Sequence, residues 1–134
     1  MDCELCNPAA QGVLWHDGYC RIVLVDEPGY PGVCRVILDR HVREMTDLTP
    51  NERTRLMDAV FATETALREV LAPHKINLAS LGNAVPHLHW HVIPRYRDDR
   101  HFPNSIWAEP RRIAGDRALP DSDRLARTLT RLLG

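Results

Sequence analysis

Apolar residues concentrate in five short runs of the chain, several of them rich in β-branched side chains and bounded by turn residues. Runs of this kind predict β-strands. The dipeptide Asp17-Gly18 separates the first two runs and is a turn signal, so these two strands are predicted to form a hairpin. The predicted strands are Val13–His16, Tyr19–Val25, Val33–Leu38, Ile76–Leu81 and His87–Ile93, the last stopped by Pro94.

Between the third and fourth runs, the apolar residues change to a helical spacing. Thr49 is the predicted N-cap, Pro50 suits the first helical position, and Pro73 ends the helix. A C-terminal helix is predicted over residues 121–133, with Ser122 as its cap. The polar segment before it, about residues 96–120, is predicted to be an ordered loop or arm. The apolar face of the long helix comprises Leu56, Val60, Leu67 and Leu71, widened by Met57, Phe61 and Val70.

The predicted elements follow in the order of three strands, a helix, two strands and a helix. Short links between consecutive strands favour antiparallel pairing. The fold class is therefore predicted to be α+β with a mainly antiparallel sheet. The length of 134 residues suits a single domain over residues 1–134.

Composition and charge argue against several classes of protein. The formal net charge of −1 gives no broad basic field for nucleic acid, and no apolar stretch approaches the roughly 20 residues that cross a membrane. The N-terminal residues lack the basic start and apolar run of a signal peptide, so a cytoplasmic location is expected. The four cysteines are therefore not expected to form disulfides, and Cys20 and Cys34 are predicted to be buried thiols.

Three histidines recur at every second position of the last predicted strand, at His87, His89 and His91. Side chains alternate between the faces of a strand, so the three imidazoles would share one face and the apolar residues between them the other. Imidazole transfers protons near neutral pH and can attack as a nucleophile. One metal held by all three rings is an alternative. However, the outer two would lie about 13 Å apart, too far for bonds of about 2 Å. Ordinary surface or core histidines are the third possibility.

The segment His87-Leu88-His89-Trp90-His91-Val92-Ile93 resembles the signature of the histidine triad family, in which three histidines alternate with apolar residues. The following Pro94-Arg95 and the preceding Gly82-Asn83-Ala84-Val85-Pro86 are also similar to that family. The resemblance implies a five-stranded antiparallel sheet, a homodimer and a nucleotide as the substrate. No organic cofactor, nucleic acid or membrane is expected as a partner.

The same resemblance implies roles for the three histidines at the α-phosphate of the nucleotide. His89 would attack the phosphorus and form a nucleotidyl-histidine that water or another acceptor resolves. His91 would contact phosphate oxygens and stabilise charge in the transition state. His87 would complete the catalytic triad. The attacking ring is expected to keep its other nitrogen protonated and bonded to a carbonyl, which fixes the tautomer.

Four residues are candidates for substrate binding. By resemblance, Asp26 binds the ribose hydroxyls, Asn77 reaches phosphate, and Asn83 stands where the family usually has glutamine. Val33 stands where many members carry a histidine, so Arg35 is a hypothetical source of the missing positive charge. Turn chemistry is the alternative for Asp26, and a solvated strand arginine is the alternative for Arg35.

Cys3 and Cys6 form a CxxC pair, which is half of a zinc-site spacing. Some relatives bind a structural zinc with this pair, the histidine before the long helix and the first triad histidine. The resemblance therefore implies a zinc site at Cys3, Cys6, His41 and His87. The alternative is a cysteine pair without metal, with His41 lining the phosphate pocket.

The arm mixes basic and aromatic side chains, which suits either contacts with the nucleotide or simple packing against the sheet or a partner. These residues are Arg95, Tyr96, Arg97, Arg100, His101, Phe102 and Trp107, followed by Arg111 and Arg112.

Two main functions are consistent with these features. The first is a nucleotide hydrolase or transferase, with dinucleoside polyphosphates, nucleoside phosphoramidates or adenylylated adducts as candidate substrates. The second is a nucleotide-binding sensor or interaction module with little turnover, because positions 33, 83 and 84 depart from the family pattern. A metal-binding protein that uses the histidines is a weaker third hypothesis.

Overall fold

Residues 3–6 and 12–134 are described by a computed structural model, so the start of the predicted domain lies outside the described residues. Two 3-10 turns, Glu4–Cys6 and Met45–Asp47, were not predicted. No helix in the described ranges is both long and apolar enough to span a membrane. The main elements are β1 (Val13–His16), β2 (Cys20–Leu24), β3 (Cys34–Leu38), α1 (Pro50–Leu71), β4 (Lys75–Ala79), β5 (His89–Arg95) and α2 (Ser122–Leu133).

The five strands form one antiparallel sheet in the order β1-β2-β3-β5-β4. The predicted α+β class, with a long helix and a C-terminal helix, is confirmed. The β1–β2 hairpin is closed by Asp17, whose Oδ1 accepts hydrogen bonds from the backbone N–H groups of Tyr19 and Cys20. Gly18 follows with φ +82°, a left-handed conformation that glycine adopts without steric cost.

Helix α1 begins at a reciprocal cap. Thr49 Oγ1 accepts from the backbone N–H of Glu52, and the Glu52 carboxylate accepts from the backbone N–H of Thr49. On the predicted apolar face of α1, Leu56 is buried. Phe61 is 52% exposed, so the assignment of Phe61 to this face was wrong. Each helical residue is turned by about 100° from the one before, which rotates Phe61 away from the buried Val60.

Helices α1 and α2 cover one face of the sheet and form the main core with it. Cys20 and Cys34 are each 1% exposed in this core, as predicted. Helix α2 is capped by Asp121 rather than by Ser122, because Asp121 Oδ1 accepts from the backbone N–H of Arg124 at 3.1 Å. Burial of one leucine side chain stabilises the folded state by about 1.5–3 kcal/mol. The residues that α1 and α2 contribute include Leu56, Val60, Leu67, Leu125 and Leu129.

Strand β5 differs from its predicted bounds at both ends. It begins at His89 rather than His87, because the backbone N–H of Leu88 donates to Val42 in a loop. It also continues through Pro94 to Arg95. The pairing of β3 with β5 ends at Val92, so the last residues of β5 pair with β4 alone. The other side of β5 has no neighbouring strand in the described sheet at Pro94. The lack of an N–H group in proline therefore costs no hydrogen bond between strands there.

Candidate functional site

Two of the three histidines lie side by side on the face of the sheet opposite the helices. In the register of β3 with β5, His89 pairs with Ile37 and His91 with Arg35. The residue between them, Trp90, packs against the main core on the other face. The two imidazole rings lie 5.0 Å apart between centroids with their planes at 75°. The alternation of the strand therefore places both rings on the face of the sheet away from the helices, the open face, where His89 is 7% exposed and His91 is half-buried.

A backbone carbonyl determines the tautomer of His89. Its Nδ1 lies 2.6 Å from the carbonyl oxygen of His87, and because a carbonyl only accepts, Nδ1 must carry the proton. The unprotonated nitrogen is then Nε2, whose lone pair is available as a nucleophile. Ser80 Oγ donates to the carbonyl of His89 at 2.7 Å and ties the start of β5 to the chain that follows β4. The carbonyl bond predicted for the attacking ring is thus present.

His91 lies in a half-buried position between two different neighbours. Its ring meets the indole of Trp107 edge-on, with 5.1 Å between the ring centroids. Burial, followed by the electrostatic influence of His89 and Arg35, lowers the pKa of His91 to about 4. The ring is therefore neutral at neutral pH and can donate one hydrogen bond from its protonated nitrogen.

Arg35 supplies a fixed positive charge directly beside His91. It is the residue of β3 that pairs with His91 on one side and with Val23 of β2 on the other. Its Nε is buried and has no hydrogen-bond partner among the described residues. Buried polar groups are nearly always satisfied, so a donor left free next to two imidazoles is suited to an anionic ligand.

His87 belongs to a second constellation, formed with Cys3, Cys6 and His41. Its Nδ1 lies 3.4 Å from the Sγ atoms of Cys3 and Cys6 and 3.1 Å from Nδ1 of His41. Its Nε2 lies 2.6 Å from the carbonyl oxygen of Leu38, so Nε2 carries the proton and the lone pair of Nδ1 faces the cluster. The strand argument that placed all three imidazoles together is therefore wrong for His87, which precedes β5.

The four residues have the geometry and chemistry of a metal site. Their ligand atoms all lie within 4.8 Å of one another, and Cys6 Sγ is 3.3 Å from His41 Nδ1. Tetrahedral zinc, with bonds of about 2.3 Å to sulfur and 2.0–2.1 Å to nitrogen, separates its ligand atoms by roughly 3.3–3.8 Å. Burial lowers the pKa of His87, which favours the neutral ring that a metal requires. Cys3, Cys6, His41 and His87 could therefore hold a metal ion.

The other three predicted substrate-binding residues lie in three different parts of the structure. Asn77 lies on β4, two residues before the partner of His91, but its Oδ1 accepts from Arg95 Nη1 at 2.8 Å. Only its amide N–H groups remain for a ligand. Asn83 is exposed in the loop between β4 and β5. Asp26 is exposed after β2 and lines a separate cavity of about 510 Å³.

A buried ion pair joins the end of β5 to the arm, and one aromatic residue of the arm lies beside the site. Arg95 and Asp99 form a buried ion pair, with Nε to Oδ2 at 2.8 Å and Nη2 to Oδ1 at 3.0 Å. The Tyr30 hydroxyl donates to Asp99 at 3.1 Å and lies 2.6 Å from Nδ1 of His101. Packing therefore accounts for Arg95 and His101, whereas Trp107 is half exposed beside His91.

Asp99 was missed in the sequence, although it organises the arm. Burial alone would raise its pKa, but hydrogen bonds from Arg95 and from the backbone N–H groups of Tyr96 and Phe102 outweigh burial. The pKa of Asp99 is therefore held well below its ordinary value. The only available signal was the spacing of four residues from Arg95, which has no special meaning outside a helix. No pattern in the sequence indicated the contacts of Ser80 or Tyr30 either.

Comparisons with known proteins agree with this geometry. A family profile described as the HIT domain matches residues 8–98. The bis(5'-nucleosyl)-tetraphosphatase (asymmetrical) of Schizosaccharomyces pombe is 31% identical over 97 residues, which cover 69% of this chain and 53% of that protein. The AP-4-A phosphorylase of Mycobacterium tuberculosis is 33% identical over 81 residues, 56% of this chain and 42% of that protein. The chain thus spans about half the length of these curated relatives.

Solved structures share the whole fold. A histidine triad protein from Bradyrhizobium japonicum superposes with a TM-score of 0.71 at 25% identity, covering 91% of this chain and 90% of that one. A histidine triad protein from Marinobacter aquaeolei gives a TM-score of 0.68 at 25% identity over 90% of this chain and 87% of that one. The structural similarity therefore extends over about nine-tenths of the chain.

Proposed function

The chain belongs to the histidine triad family, and from this membership we propose that it is a nucleotide hydrolase or transferase acting at an α-phosphate. The reaction proceeds through a nucleotidyl intermediate on His89. The observation that carries the proposal is the 2.6 Å contact between His89 Nδ1 and the carbonyl of His87. It leaves Nε2 unprotonated on an open face, as a nucleophile requires.

In the first step, Nε2 of His89 attacks the α-phosphorus and a P–N bond forms. The bond from phosphorus to the leaving group breaks, and that group departs with the electron pair. In the second step, water or another acceptor attacks the same phosphorus, and the P–N bond breaks with its electron pair returning to Nε2. The proton of the acceptor is released to solvent, which leaves the imidazole of His89 neutral. His91 and Arg35 donate hydrogen bonds to the phosphoryl oxygens, where negative charge is stabilised throughout.

The names of the curated relatives support a dinucleoside polyphosphate as one candidate substrate. Nucleoside phosphoramidates and adenylylated adducts are the other candidates, since each presents a nucleotidyl group with a leaving group on the α-phosphorus. The amide of Asn77 and the side chains of Asp26 and Asn83 are proposed to contact the nucleotide. For Asp26 and Asn83 this requires the flanking loops to approach the substrate.

We also propose that Cys3, Cys6, His41 and His87 bind a structural zinc ion. The tautomer of His87 supports this, because its proton is held by the carbonyl of Leu38 and its lone pair points at the two thiols and His41. Bound zinc would supply a cross-link between the N-terminal turn and the chain that enters β5. His87 would then act as a metal ligand, and His89 and His91 would serve the phosphate.

The decisive experiment replaces His89 with asparagine and measures turnover and nucleotide affinity separately. A panel of adenosine and guanosine phosphoramidates and dinucleoside polyphosphates serves as substrates. Turnover is expected to fall by at least about a thousand-fold, because the nucleophile is lost, while nucleotide affinity stays within a few-fold. Brief incubation of the wild-type protein with substrate labelled at the α-phosphate should leave an acid-labile, base-stable label that His89→Asn lacks.

The matched control is His74→Asn, because His74 is an exposed histidine outside the site. Its one hydrogen bond among the described residues is accepted from Arg97. His74→Asn is expected to retain full turnover. Tight nucleotide binding by the wild-type protein without turnover of any substrate would contradict the enzymatic proposal and favour the sensor alternative. Equal turnover by His89→Asn and the wild type would exclude His89 as the nucleophile.

A further inference from the structure

Arg21 is a buried arginine that neither the sequence motifs nor the proposed reaction explains. It lies on β2 and pairs with Ile37 of β3. Its side chain is only 5% exposed, although burial of a guanidinium is costly unless its charge and donors are compensated. The contacts of this buried guanidinium therefore need an explanation.

Among the described residues, two hydrogen bonds of Arg21 end on chain segments that carry members of the cysteine–histidine cluster. Nη2 donates to the carbonyl oxygen of Leu5 at 2.5 Å, and Leu5 lies between Cys3 and Cys6. Nη1 donates to Asp39 Oδ1 at 3.4 Å, two residues before His41. One guanidinium therefore connects the cysteine turn with the segment that leads from β3 to the histidine.

Apart from the contacts of the two thiols with His41 and His87, the turn Glu4–Cys6 has few other attachments among the described residues. The backbone N–H of Cys6 donates to the carbonyl of Cys3 within the turn, and the side chain of Leu5 packs against Val23 and Ile37. A hydrophobic contact limits where the turn sits but not how it is rotated. The short bond from Arg21 to the Leu5 carbonyl fixes that rotation, and with it the direction of the two flanking thiols.

We propose that Arg21 is a positioning residue for the metal site, which orients the Cys3–Cys6 turn toward His41 and His87. The inference rests on the proposed zinc site and is independent of the nucleotide chemistry. Groups behind the metal ligands typically change metal affinity by about 10- to 100-fold when removed. The planar fork of arginine reaches two acceptors at once, which the single ammonium of lysine does not reproduce.

The test compares zinc retention by the reduced holoprotein of the wild type with that of Arg21→Met and Arg21→Lys. The dissociation constant and the rate of zinc release are measured with an excess of a chromophoric chelator. Arg21→Met is expected to bind zinc at least about tenfold more weakly, and Arg21→Lys to lie between it and the wild type. Asp39→Asn, which weakens the second contact of Arg21, is expected to show a few-fold loss.

Arg131→Met is the matched control, because Arg131 forms a surface ion pair with Glu69 on the helical side of the molecule. Its zinc affinity should stay within twofold of the wild type. The tetrahedral absorption bands of the cobalt-substituted proteins give a readout that a purely structural role would not move. They should shift or weaken in Arg21→Met and remain unchanged in Arg131→Met.

The outcomes separate the two proposals. If Arg21→Met, folded by circular dichroism, keeps wild-type zinc affinity and cobalt bands, the role of Arg21 is refuted while the zinc site stands. If the wild type binds no zinc, both fall, and the His89→Asn experiment is unaffected. If Arg21→Met does not fold, Arg21→Lys and Asp39→Asn decide: weaker zinc binding in both supports the inference, and wild-type binding overturns it.

Discussion

At His89, the carbonyl of His87 holds the Nδ1 proton and leaves Nε2 as the only free nitrogen. At His91 the ring lies between Arg35 and Trp107, and burial keeps it neutral. Two identical side chains in one motif are thus prepared for different tasks by their neighbours. One is suited to attack phosphorus, and the other to donate a hydrogen bond to the phosphate.

Replacement of Arg35 with methionine should weaken the proposed reaction by about a hundred-fold, because a preorganised donor and charge are removed from beside the phosphate. Arg35→Lys should recover part of the loss, since it restores the charge but not the geometry of the guanidinium. Steady-state kinetics on the best substrate of the panel measures both. Arg124, exposed on α2, provides the control Arg124→Met. Equal rates for Arg35→Met and this control would contradict the role.

The pKa of His91 makes a testable contribution to stability. Its value of about 4 in the folded protein lies below the ordinary 6.5, so between these values the unfolded chain binds more protons than the folded one. The free energy of unfolding should therefore fall as the pH is lowered from about 7 to 4. Urea unfolding of the metal-free protein at several pH values measures this slope.

The variant His91→Gln isolates the contribution of this one ring. The wild type should lose more stability than His91→Gln over the interval from pH 7 to 4, because only the wild type carries the imidazole whose protonation opposes folding. Parallel stability profiles for the two proteins would show that His91 titrates normally in the folded state.

Residue patterns predicted the site only where a local period exists. The alternation of His89 and His91 places both rings on one face, as a strand requires. Arg21 and Asp99 could not be found in the same way. Their partners are a carbonyl 16 residues away and an arginine at the end of β5, and neither relation leaves a periodic signal.

At the scale of elements, the boundaries of β5 show what pattern reasoning cannot resolve. The three alternating histidines suggested one continuous strand from His87, yet the chain enters the sheet only at His89. Long-range bonds from Leu88 to Val42 and from His87 to Leu38 decide this boundary. Pro94 was predicted to stop the strand but is tolerated, because β5 has lost one neighbour by that point.

The arm depends on its buried ion pair. Asp99→Ala should lower the free energy of unfolding by about 3–5 kcal/mol, because Arg95 would remain buried without its counter-charge. The neighbouring Asp98 is a matched control, since its side chain is 74% exposed and pairs with Arg117 at the surface. Asp98→Ala should cost less than about 1 kcal/mol. Urea denaturation measures both, and similar losses would contradict a special role for Asp99.

At the scale of the whole molecule, the sheet divides structural from chemical tasks. Both helices cover one face, and the other carries His89, His91 and Arg35. The N-terminal turn and the arm close over opposite parts of that open face. Because strand alternation separates the two faces residue by residue, the core can be packed densely without constraining the side chains that are proposed to contact the ligand.

Within the described residues, an edge strand and an exposed aromatic side chain suit association between two chains. Strand β4 is at the edge of the described sheet, and Phe61 is 52% exposed on α1. Unpaired edges and exposed aromatic residues favour association, and the family resemblance implies a homodimer. We therefore expect light scattering to give twice the chain mass of 15.3 kDa. Phe61→Glu should shift the protein toward the monomer, because it would place a charge in the expected interface between the two chains.

Ile113→Glu is the control for this last experiment, since Ile113 is a large apolar residue of the arm that is 99% exposed. It should remain dimeric at concentrations where Phe61→Glu dissociates. A wild-type protein that is monomeric at high concentration would contradict the expected dimer. A dimer of unchanged affinity in Phe61→Glu would instead place the interface elsewhere on the molecule. Activity measured across the same concentrations would then show whether one chain suffices for the chemistry, as the placement of His89, His91 and Arg35 within a single sheet leads us to expect.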